Sequence, residues 1–390
     1  MAIADRPVGA PRRAEVDDDT TRTTPLVSPL AWVGAGIVIL FAYIILKWVT
    51  GPYFEKVPQG PSDPPTWMQI ELLGWQIFSI PAALFCIYRF VVRPWMREKT
   101  IGVDGVLTCA FATMWVQDVF SSAGNHWFVY NTSMLNFGSW ANSIPWWTSY
   151  GKPGAMTSEP ILFTPAAYVY IMVIGAVCGC WIMRRAKAWK PTLSSGQLIL
   201  ICFAGMCLFD VILEGMIWLP LGVFEYPGGH WSIFGDSYHK YPLNEMVTIA
   251  GTFTLVASLR YFVDDKGLTV AERGVDKLRL SPGRKVIVRA LAVIAVVNIG
   301  FFMTYGLPNT FIGLNSTNWP TDLQKRSYFL NGLCGVPTDR ACPGPNTPAV
   351  RDTAPYVNAN NQVTVQSDRG GGPVPSPLTP LDKGAPGGSR

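Results

Sequence analysis

Long apolar segments are the feature that most restricts what this chain can fold into. A helix needs roughly 20 apolar residues to cross about 30 Å of hydrocarbon. Seven segments meet this requirement, at residues 30–49, 67–92, 101–121, 161–183, 197–220, 243–263 and 286–307. Hydrophobic residues make up 49% of the chain and charged residues only 15%, a balance typical of membrane proteins. The sequence therefore predicts an all-α bundle of about seven transmembrane helices.

Basic residues indicate how this bundle is oriented. They cluster in the loops at residues 93–99, 184–190 and 266–285, which follow the second, fourth and sixth segments. The alternate loops carry little positive charge, represented by Lys56, Lys152 and Lys240. Because basic loops stay in the cytoplasm, we expect the N-terminus inside and the C-terminus outside the cell membrane.

Three regions differ in composition. Residues 1–28 are polar and lack the apolar core of a signal peptide, so we expect a disordered cytoplasmic arm. Residues 29–333 form the predicted membrane domain, and residues 334–390 are rich in proline and glycine, as in a flexible tail outside the membrane. Cys334 and Cys342 fall on the oxidising side, where a disulfide between them is expected rather than two free thiols.

Five carboxylates lie in the outer half of four predicted helices. They are Glu71, Asp118, Asp210, Glu214 and Glu245. In "FDVILEGMIW", Asp210 and Glu214 are four residues apart, which places them on one face of a helix. Two carboxylates this close in a low dielectric do not both remain ionised, so one is expected to keep its proton. The pair then offers a proton donor and a proton acceptor.

We therefore predict that Asp210 and Glu214 are catalytic, assisted by Glu71 and Asp118. Acids within a membrane segment are usually functional because burying them is unfavourable. Glu71, Asp118 and Glu245 lie nearer the interface, and for these three a structural role in capping or helix packing is an equal alternative.

Two long aromatic loops fall on the same side as the acids, between spans three and four and between spans five and six. Their aromatic residues predict a roof over an acidic cavity, although an aromatic belt at the lipid headgroups is the alternative for each. The residues expected in the roof are Trp127, Trp140, Trp146, Trp147, Tyr226 and Trp231. The residues expected to contact substrate are Glu245, Asn125, His126, Gln76, Trp127 and Trp231. Two further acids of these loops, Glu225 and Asp236, are expected to be solvated.

The stretches "GNHWFVYN", "FDVILEGMIWLPLGVFEYPGG" and "YPLNEMVTIAG" resemble the AveC-like spirocyclase family over about residues 30–335. The resemblance implies a membrane cyclase of secondary metabolism that closes a dihydroxy-ketone into a spiroketal with loss of water. It also implies chemistry without a metal or a redox cofactor. The resemblance itself assigns no catalytic residue.

The expected partners are a small apolar substrate, polyketide-like or lipid-like, and membrane lipid. We expect no nucleic acid and no cofactor. We also expect no metal site, since the eight cysteines contain no CxxC pair. The oligomeric state stays open. Two alternatives remain, a membrane terpene cyclase and a proton-coupled transporter. The polar residues near the acids favour an oxygen-bearing substrate over a terpene. A transporter should have acids in both halves of the membrane, whereas the acids here are concentrated in one half.

Overall fold

Helices form most of the chain in the computed structural model, which describes residues 25–122, 128–146, 157–347, 356–365 and 374–375. The α-helices are α1 (Val27–Val49), α2 (Thr66–Ile87), α3 (Arg93–Glu98), α4 (Val103–Met114), α5 (Thr164–Trp189), α6 (Ser195–Asp210), α7 (Leu219–Leu221), α8 (Leu243–Tyr261), α9 (Pro282–Phe301), α10 (Leu307–Gly313), α11 (Thr321–Gln324) and α12 (Ser327–Leu330). The strands are β1 (Val129–Tyr130), β2 (Phe224–Glu225), β3 (Ser232–Ile233), β4 (Tyr241–Pro242), β5 (Tyr356–Val357), β6 (Val363–Val365) and β7 (Val374–Pro375).

Five helical stretches in the described part of the chain are long and apolar enough to cross a membrane. They are Val27–Val49, Thr66–Glu98, Thr164–Trp189, Ser195–Leu221 and Pro282–Gly313. The predicted third and sixth spans correspond to α4 with the turn that follows it and to α8, which are not among these five. These two helices lie inside the bundle and bury polar side chains such as Thr108 and Thr252, which lowers their hydropathy.

The outward faces of α1, α2 and α6 carry large apolar side chains. Trp32 is 80% exposed, and Ile39, Ile70 and Leu200 are exposed to similar degrees. A continuous apolar surface of this kind is unfavourable in water, whereas lipid covers it in a bilayer. The exposed surface therefore agrees with the apolar helices in indicating a membrane protein.

Close contact between α5 and α8 depends on two glycines of α5. A Cβ atom at Gly175 would lie 2.3 Å from Cδ1 of Phe253, and one at Gly179 would lie 2.5 Å from Cβ of Ala257. Small residues four apart let two helices approach closely in a membrane. This glycine pair therefore sets how closely α5 and α8 pack.

The two ends of the bundle are chemically different. At one end, where α4 begins and α8 finishes, Arg260 Nε donates to Asp104 Oδ1 at 2.6 Å. At the other end α4, α6 and α9 finish while α5 and α8 begin, and here lie Asp118, Glu214 and Glu245. The acids predicted to share one half of the membrane are, except for Glu71, buried at this second end.

Three helices lose regular α geometry as they reach this end. The chain after α4 tightens into a 3₁₀ turn at Trp115–Phe120. The chain after α6 widens into a π-helix at Val211–Trp218, and the chain after α9 does so at Phe302–Gly306. These segments carry Asp118, Glu214 and Tyr305. Such π segments occur frequently at functional sites.

Structure continues past the predicted domain boundary at residue 334. Cys334 and Cys342 form a disulfide. The Ala341 amide donates to the Val357 carbonyl at 2.9 Å, and β5 pairs antiparallel with β6. Part of the segment predicted to be a flexible tail is therefore tied by backbone hydrogen bonds to the loop that the disulfide closes.

The contact between α1 and α9 gives a test of the packing. A Cβ atom at Gly34 would lie 1.9 Å from the Leu291 carbonyl oxygen, whereas at Gly36 it would meet nothing within 4 Å. We expect Gly34→Leu to destabilise the protein by about 1–3 kcal/mol or more, because the rigid backbone of α9 has to move. Thermal unfolding in detergent checks this, with Gly36→Leu as the matched control. Equal melting temperatures for the two variants would contradict the packing of α1 on α9.

Candidate active site

A cavity of about 70 Å³ lies at the end of the bundle where the acids gather. Two carboxyl groups line it, those of Asp118 and Glu214. Aromatic side chains form most of the remaining wall, among them four tyrosines at Tyr130, Tyr168, Tyr226 and Tyr305. The cavity thus combines acids with phenolic hydroxyl groups inside an apolar surround.

Asp118 enters the cavity from the 3₁₀ turn after α4 and is 2% exposed. The Tyr168 hydroxyl, from α5, donates to Oδ1 of Asp118 at 2.7 Å. The neighbouring Gln117 fixes this turn, since its Nε2 donates to Oδ1 of Asn298 on α9 at 2.9 Å. Asn298 in turn donates to Oγ1 of Thr113 at 2.8 Å. A polar network between α4 and α9 therefore sets the position of Asp118.

Glu214 enters from the π-helical segment after α6 and is 7% exposed. The Tyr226 hydroxyl donates to its Oε2 at 2.7 Å. Tyr226 directly follows β2, so the loop after α7 supplies the hydrogen-bond donor for an acid on the preceding helix. Asp118 and Glu214 therefore reach one cavity from different helices, each hydrogen bonded to a tyrosine.

Asp210 and Glu245 form a second buried group beside Glu214. Both are fully buried, and neither lines the cavity. The Tyr241 hydroxyl donates to Oδ2 of Asp210 at 2.7 Å, while Asn309 Nδ2 donates to Oε2 of Glu245 at 3.3 Å. The structure thus brings Asp210 and Glu214 onto the same buried side of the helix and gives them different tyrosine partners.

Glu159 is a further acid at this site and was not among the predicted site residues. It is fully buried just before α5, and Ser122 Oγ donates to its Oε1. Burial, followed by the nearby charge of Asp118, raises the pKa of the Glu159 carboxyl well above its ordinary value. Its position in "TSEP", next to the start of an apolar span, was the available signal.

The preceding residue shows how Glu159 comes to be buried. The Ser158 amide donates to Oδ1 of Asn331 at 2.7 Å, and Ser158 Oγ donates to the Tyr130 carbonyl at 3.1 Å. These contacts hold the loop against β1 and the segment that follows α12. No local sequence pattern specifies such contacts, because the partners lie 28 and 173 residues away.

The two aromatic loops meet over the cavity as a short antiparallel pair. Tyr130 of β1 is opposite Phe224 of β2, and their ring centroids are 5.8 Å apart at an edge-to-face angle. Phe128 packs on Tyr130 at 4.9 Å. Edge-to-face contacts of this kind stabilise aromatic clusters. This pair forms a wall of the cavity.

The three described tryptophans that were expected in the roof do not line the cavity. Trp140 is buried elsewhere, 5.4 Å from Trp48 between ring centroids. Trp146 and Trp231 are exposed, the latter by 77%. Trp127 and Trp147 lie outside the described residues. Of the expected set, Tyr226 is the described residue that lines the cavity.

The remaining predicted site residues divide into three kinds. Glu71 is exposed on α2, because the buried face of that helix runs through Leu72 and Gln76. Gln76 accepts a hydrogen bond from the Leu135 amide at 2.8 Å, so it anchors the loop and does not line the cavity. The substrate contacts predicted at positions 125 and 126 lie outside the described residues.

The expectation that Glu225 is solvated was wrong. Pairing of β2 with β1 covers it completely, leaving it 0% exposed. Burial raises the pKa of Glu225 well above its ordinary value, against the opposing effect of the Arg326 charge. Asp236 is exposed, as expected.

Fold and cavity together define a helical membrane protein with a buried site of carboxyl groups and tyrosines. The family model described as "Spirocyclase AveC-like" matches residues 98–329, which is more than half of the chain. The protein therefore belongs to the AveC-like spirocyclase family, as the resemblance predicted. Comparisons with curated proteins and with solved structures found no match. The matched range contains every acid of the buried site and excludes Glu71.

The hydrogen bond from Tyr241 to Asp210 gives a test of the buried network. Tyr241→Phe removes the described donor to this carboxyl, which is fully buried. We expect a loss of about 1–3 kcal/mol in the free energy of unfolding, the usual result of leaving a buried polar group unsatisfied. Tyr43→Phe, at an exposed position on α1, is the control. Equal stability of the two variants would show that this hydrogen bond does not hold Asp210.

Proposed function

We propose that this protein is a membrane-embedded cyclase that closes oxygen-containing rings in an apolar, polyketide-like or lipid-like substrate, with loss of water. The observation that carries the proposal is one cavity lined by both Asp118 and Glu214. Membership of the AveC-like spirocyclase family supports a cyclase. The class of reaction is acid–base catalysis, which moves only protons and needs no cofactor.

Spiroketal formation asks for a proton donor and a proton acceptor at one place. A substrate hydroxyl adds to the ketone to give a hemiketal, whose hydroxyl leaves as water after protonation. A second hydroxyl then attacks the same carbon and gives up its proton. Asp118 and Glu214 are suited to these two transfers, because they reach the cavity from different helices. Holding both substrate arms near one carbon supplies the entropic part of catalysis.

The cavity's size and wall restrict what it accepts. A cavity of about 150 Å³ holds benzene in another protein. The 70 Å³ found here therefore accommodates the reacting atoms and not a whole polyketide or lipid, whose remainder extends beyond them. Aromatic side chains such as Phe163 and Phe224 exclude water, which strengthens every hydrogen bond made by the acids.

The other predicted site residues have different roles in this proposal. Asp210 lies outside the cavity wall and acts on Glu214 through its charge and proton. Asn125, His126 and Trp127 remain proposed substrate contacts, since they directly precede the cavity-lining Phe128 in the chain. Glu71 is left out because it is exposed on α2.

We also propose seven membrane spans, with the N-terminus in the cytoplasm and the site near the outer face of the cell membrane. The 19 residues of α8 extend about 28 Å. The basic loops at residues 93–99, 184–190 and 266–285 belong to the bundle end opposite the acids, the end that contains Arg260. By the positive-inside rule that end faces the cytoplasm. The proposed partners are the substrate and membrane lipid, without nucleic acid.

A membrane terpene cyclase is the second candidate, and the aromatic wall favours it. Aromatic faces stabilise cations, including those formed when an isoprenoid chain cyclises. Two carboxyl groups, each bonded to a tyrosine hydroxyl, favour the oxygen-bearing substrate. Incubating the purified protein with a dihydroxy-ketone and, separately, with an isoprenoid distinguishes the two by the product formed.

Substitution of the cavity acids tests the proposal. We expect Asp118→Asn and Glu214→Gln each to lower kcat/KM for a dihydroxy-ketone by about 100-fold or more, the usual share of general acid–base catalysis. The measurement is formation of the spiroketal by purified protein in lipid nanodiscs. Glu71→Gln is the matched control and should stay within about twofold of wild type, because an exposed acid takes no part.

The same series separates the two acids of "FDVILEGMIW". Asp210→Asn should lower kcat/KM less than Glu214→Gln does, since Glu214 lines the cavity and Asp210 does not. Wild-type turnover in both Asp118→Asn and Glu214→Gln, with unchanged melting temperatures, would rule out this cavity as the active site.

Labelling of introduced cysteines tests the orientation. Asp236 is exposed in the loop between α7 and α8, and Lys277 is exposed in the loop between α8 and α9. We expect a membrane-impermeant maleimide to label Asp236→Cys in intact cells and Lys277→Cys only after permeabilisation. The reverse pattern would contradict the proposed orientation.

A further inference from the structure

Two carboxyl groups meet beside the cavity, those of Asp118 and Glu159. They are 2% and 0% exposed. Each lies within hydrogen-bonding reach of the other, although Asp118 comes from the turn after α4 and Glu159 from the loop before α5. Of these two residues, Asp118 lines the cavity and Glu159 does not.

Hydroxyl donors surround this pair but do not satisfy all four of its carboxyl oxygens. Tyr168 donates to Oδ1 of Asp118, and Ser122 donates to Oε1 of Glu159. The Tyr130 hydroxyl also lies within hydrogen-bonding reach of Asp118, whereas Oε2 of Glu159 receives no hydrogen bond from any described donor. Two facing carboxylates repel each other strongly where water is excluded, and a single proton between them removes the repulsion and serves both carboxyl groups.

Glu272 shows what a buried structural glutamate looks like in this protein. It is also fully buried, and both of its oxygens have donors. Arg289 Nε donates to Oε1 at 2.7 Å and the Thr269 amide donates to Oε2 at 2.8 Å. Glu159 has no such cation beside it among the described residues, and its main charged neighbour is another acid. Glu159, which faces another acid, therefore differs from Glu272, whose carboxylate is neutralised by an arginine.

We propose that Asp118 and Glu159 share one proton and form the acid of this site, with Asp118 as the catalytic donor and Glu159 as a positioning residue. This inference rests on the function proposed above. It also specifies the substrate group, an sp³ hydroxyl oxygen such as that of a hemiketal, which accepts the proton and leaves as water.

The shared proton passes through Asp118 to the hemiketal hydroxyl, the C–O bond breaks, and water departs. The second substrate hydroxyl forms the new C–O bond and loses its proton to the Glu214 carboxylate. The substrate becomes spiroketal plus water, and return of that proton from Glu214 to the pair restores the protein.

Infrared spectroscopy tests the shared proton without any substrate. Among the protonated-carboxyl bands at neutral pH we expect one, shifted by H₂O-to-D₂O exchange, that disappears in both Glu159→Gln and Asp118→Asn. It disappears in both because the new amide donates to the remaining carboxylate, which no longer needs the proton. Glu225→Gln is the control, since this buried acid is separate from the pair and its loss should leave the band in place.

Other spectroscopic results would overturn the pair. If the band survives Glu159→Gln, or survives Asp118→Asn unshifted, the proton is not shared. Should either variant fail to fold, Ser122→Ala is the alternative. Removing the hydroxyl that donates to Glu159 should shift the same band, and an unchanged frequency would count against the pair.

Turnover tests the acid role separately. Glu159→Gln should lower kcat by about 10- to 100-fold with KM within twofold, a smaller loss than that of the residue it positions. Glu159→Asp, which keeps a carboxyl, should restore part of kcat. Wild-type kcat in Glu159→Gln would refute the acid role. Loss of the band in both variants supports the pair even if no dihydroxy-ketone is converted, a failure that would count against the proposed function alone.

Discussion

The hydrogen bond from a tyrosine hydroxyl to a buried carboxyl group is the interaction on which this structure depends. Among the described residues it joins Tyr168 to Asp118, Tyr226 to Glu214 and Tyr241 to Asp210. A carboxyl group removed from water is strongly destabilising unless it finds such a partner. Each tyrosine comes from a different element, so satisfying the acids also fixes α5, the loop after β2 and β4 around the cavity.

Departures from regular helix geometry place the acids where the tyrosines meet them. The 3₁₀ turn at Trp115–Phe120 and the π-helix at Val211–Trp218 each carry one cavity acid. Elsewhere the bundle is close-packed, and a Cβ atom would not fit at Gly175 or at Gly34. A rigid apolar frame with irregular ends is a physical basis for a preorganised site, since the frame opposes any relaxation that would separate the acids.

Much of this arrangement follows from local sequence. Apolar runs predicted the helices, and the acids of "FDVILEGMIW" predicted a buried polar site at one end of the bundle. What the sequence did not reveal depends on long-range contacts. Glu159 and Glu225 are loop acids that only strand pairing and the contacts of Ser158 bury. Glu71 directly precedes Leu72, which lies on the buried face of α2, so the turn of the helix between the two residues points Glu71 outward. The average hydropathy of a segment does not show which face of the helix a given residue occupies.

The central claim is that Asp118 and Glu214 act together on one molecule held between them. A double-mutant cycle in kcat/KM measures this most directly, using Asp118→Asn, Glu214→Gln and the double variant with a dihydroxy-ketone. Residues that act as a unit give non-additive losses, so the double variant should be little slower than the slower single variant. Strictly additive losses, or a double variant as active as wild type, would contradict the account.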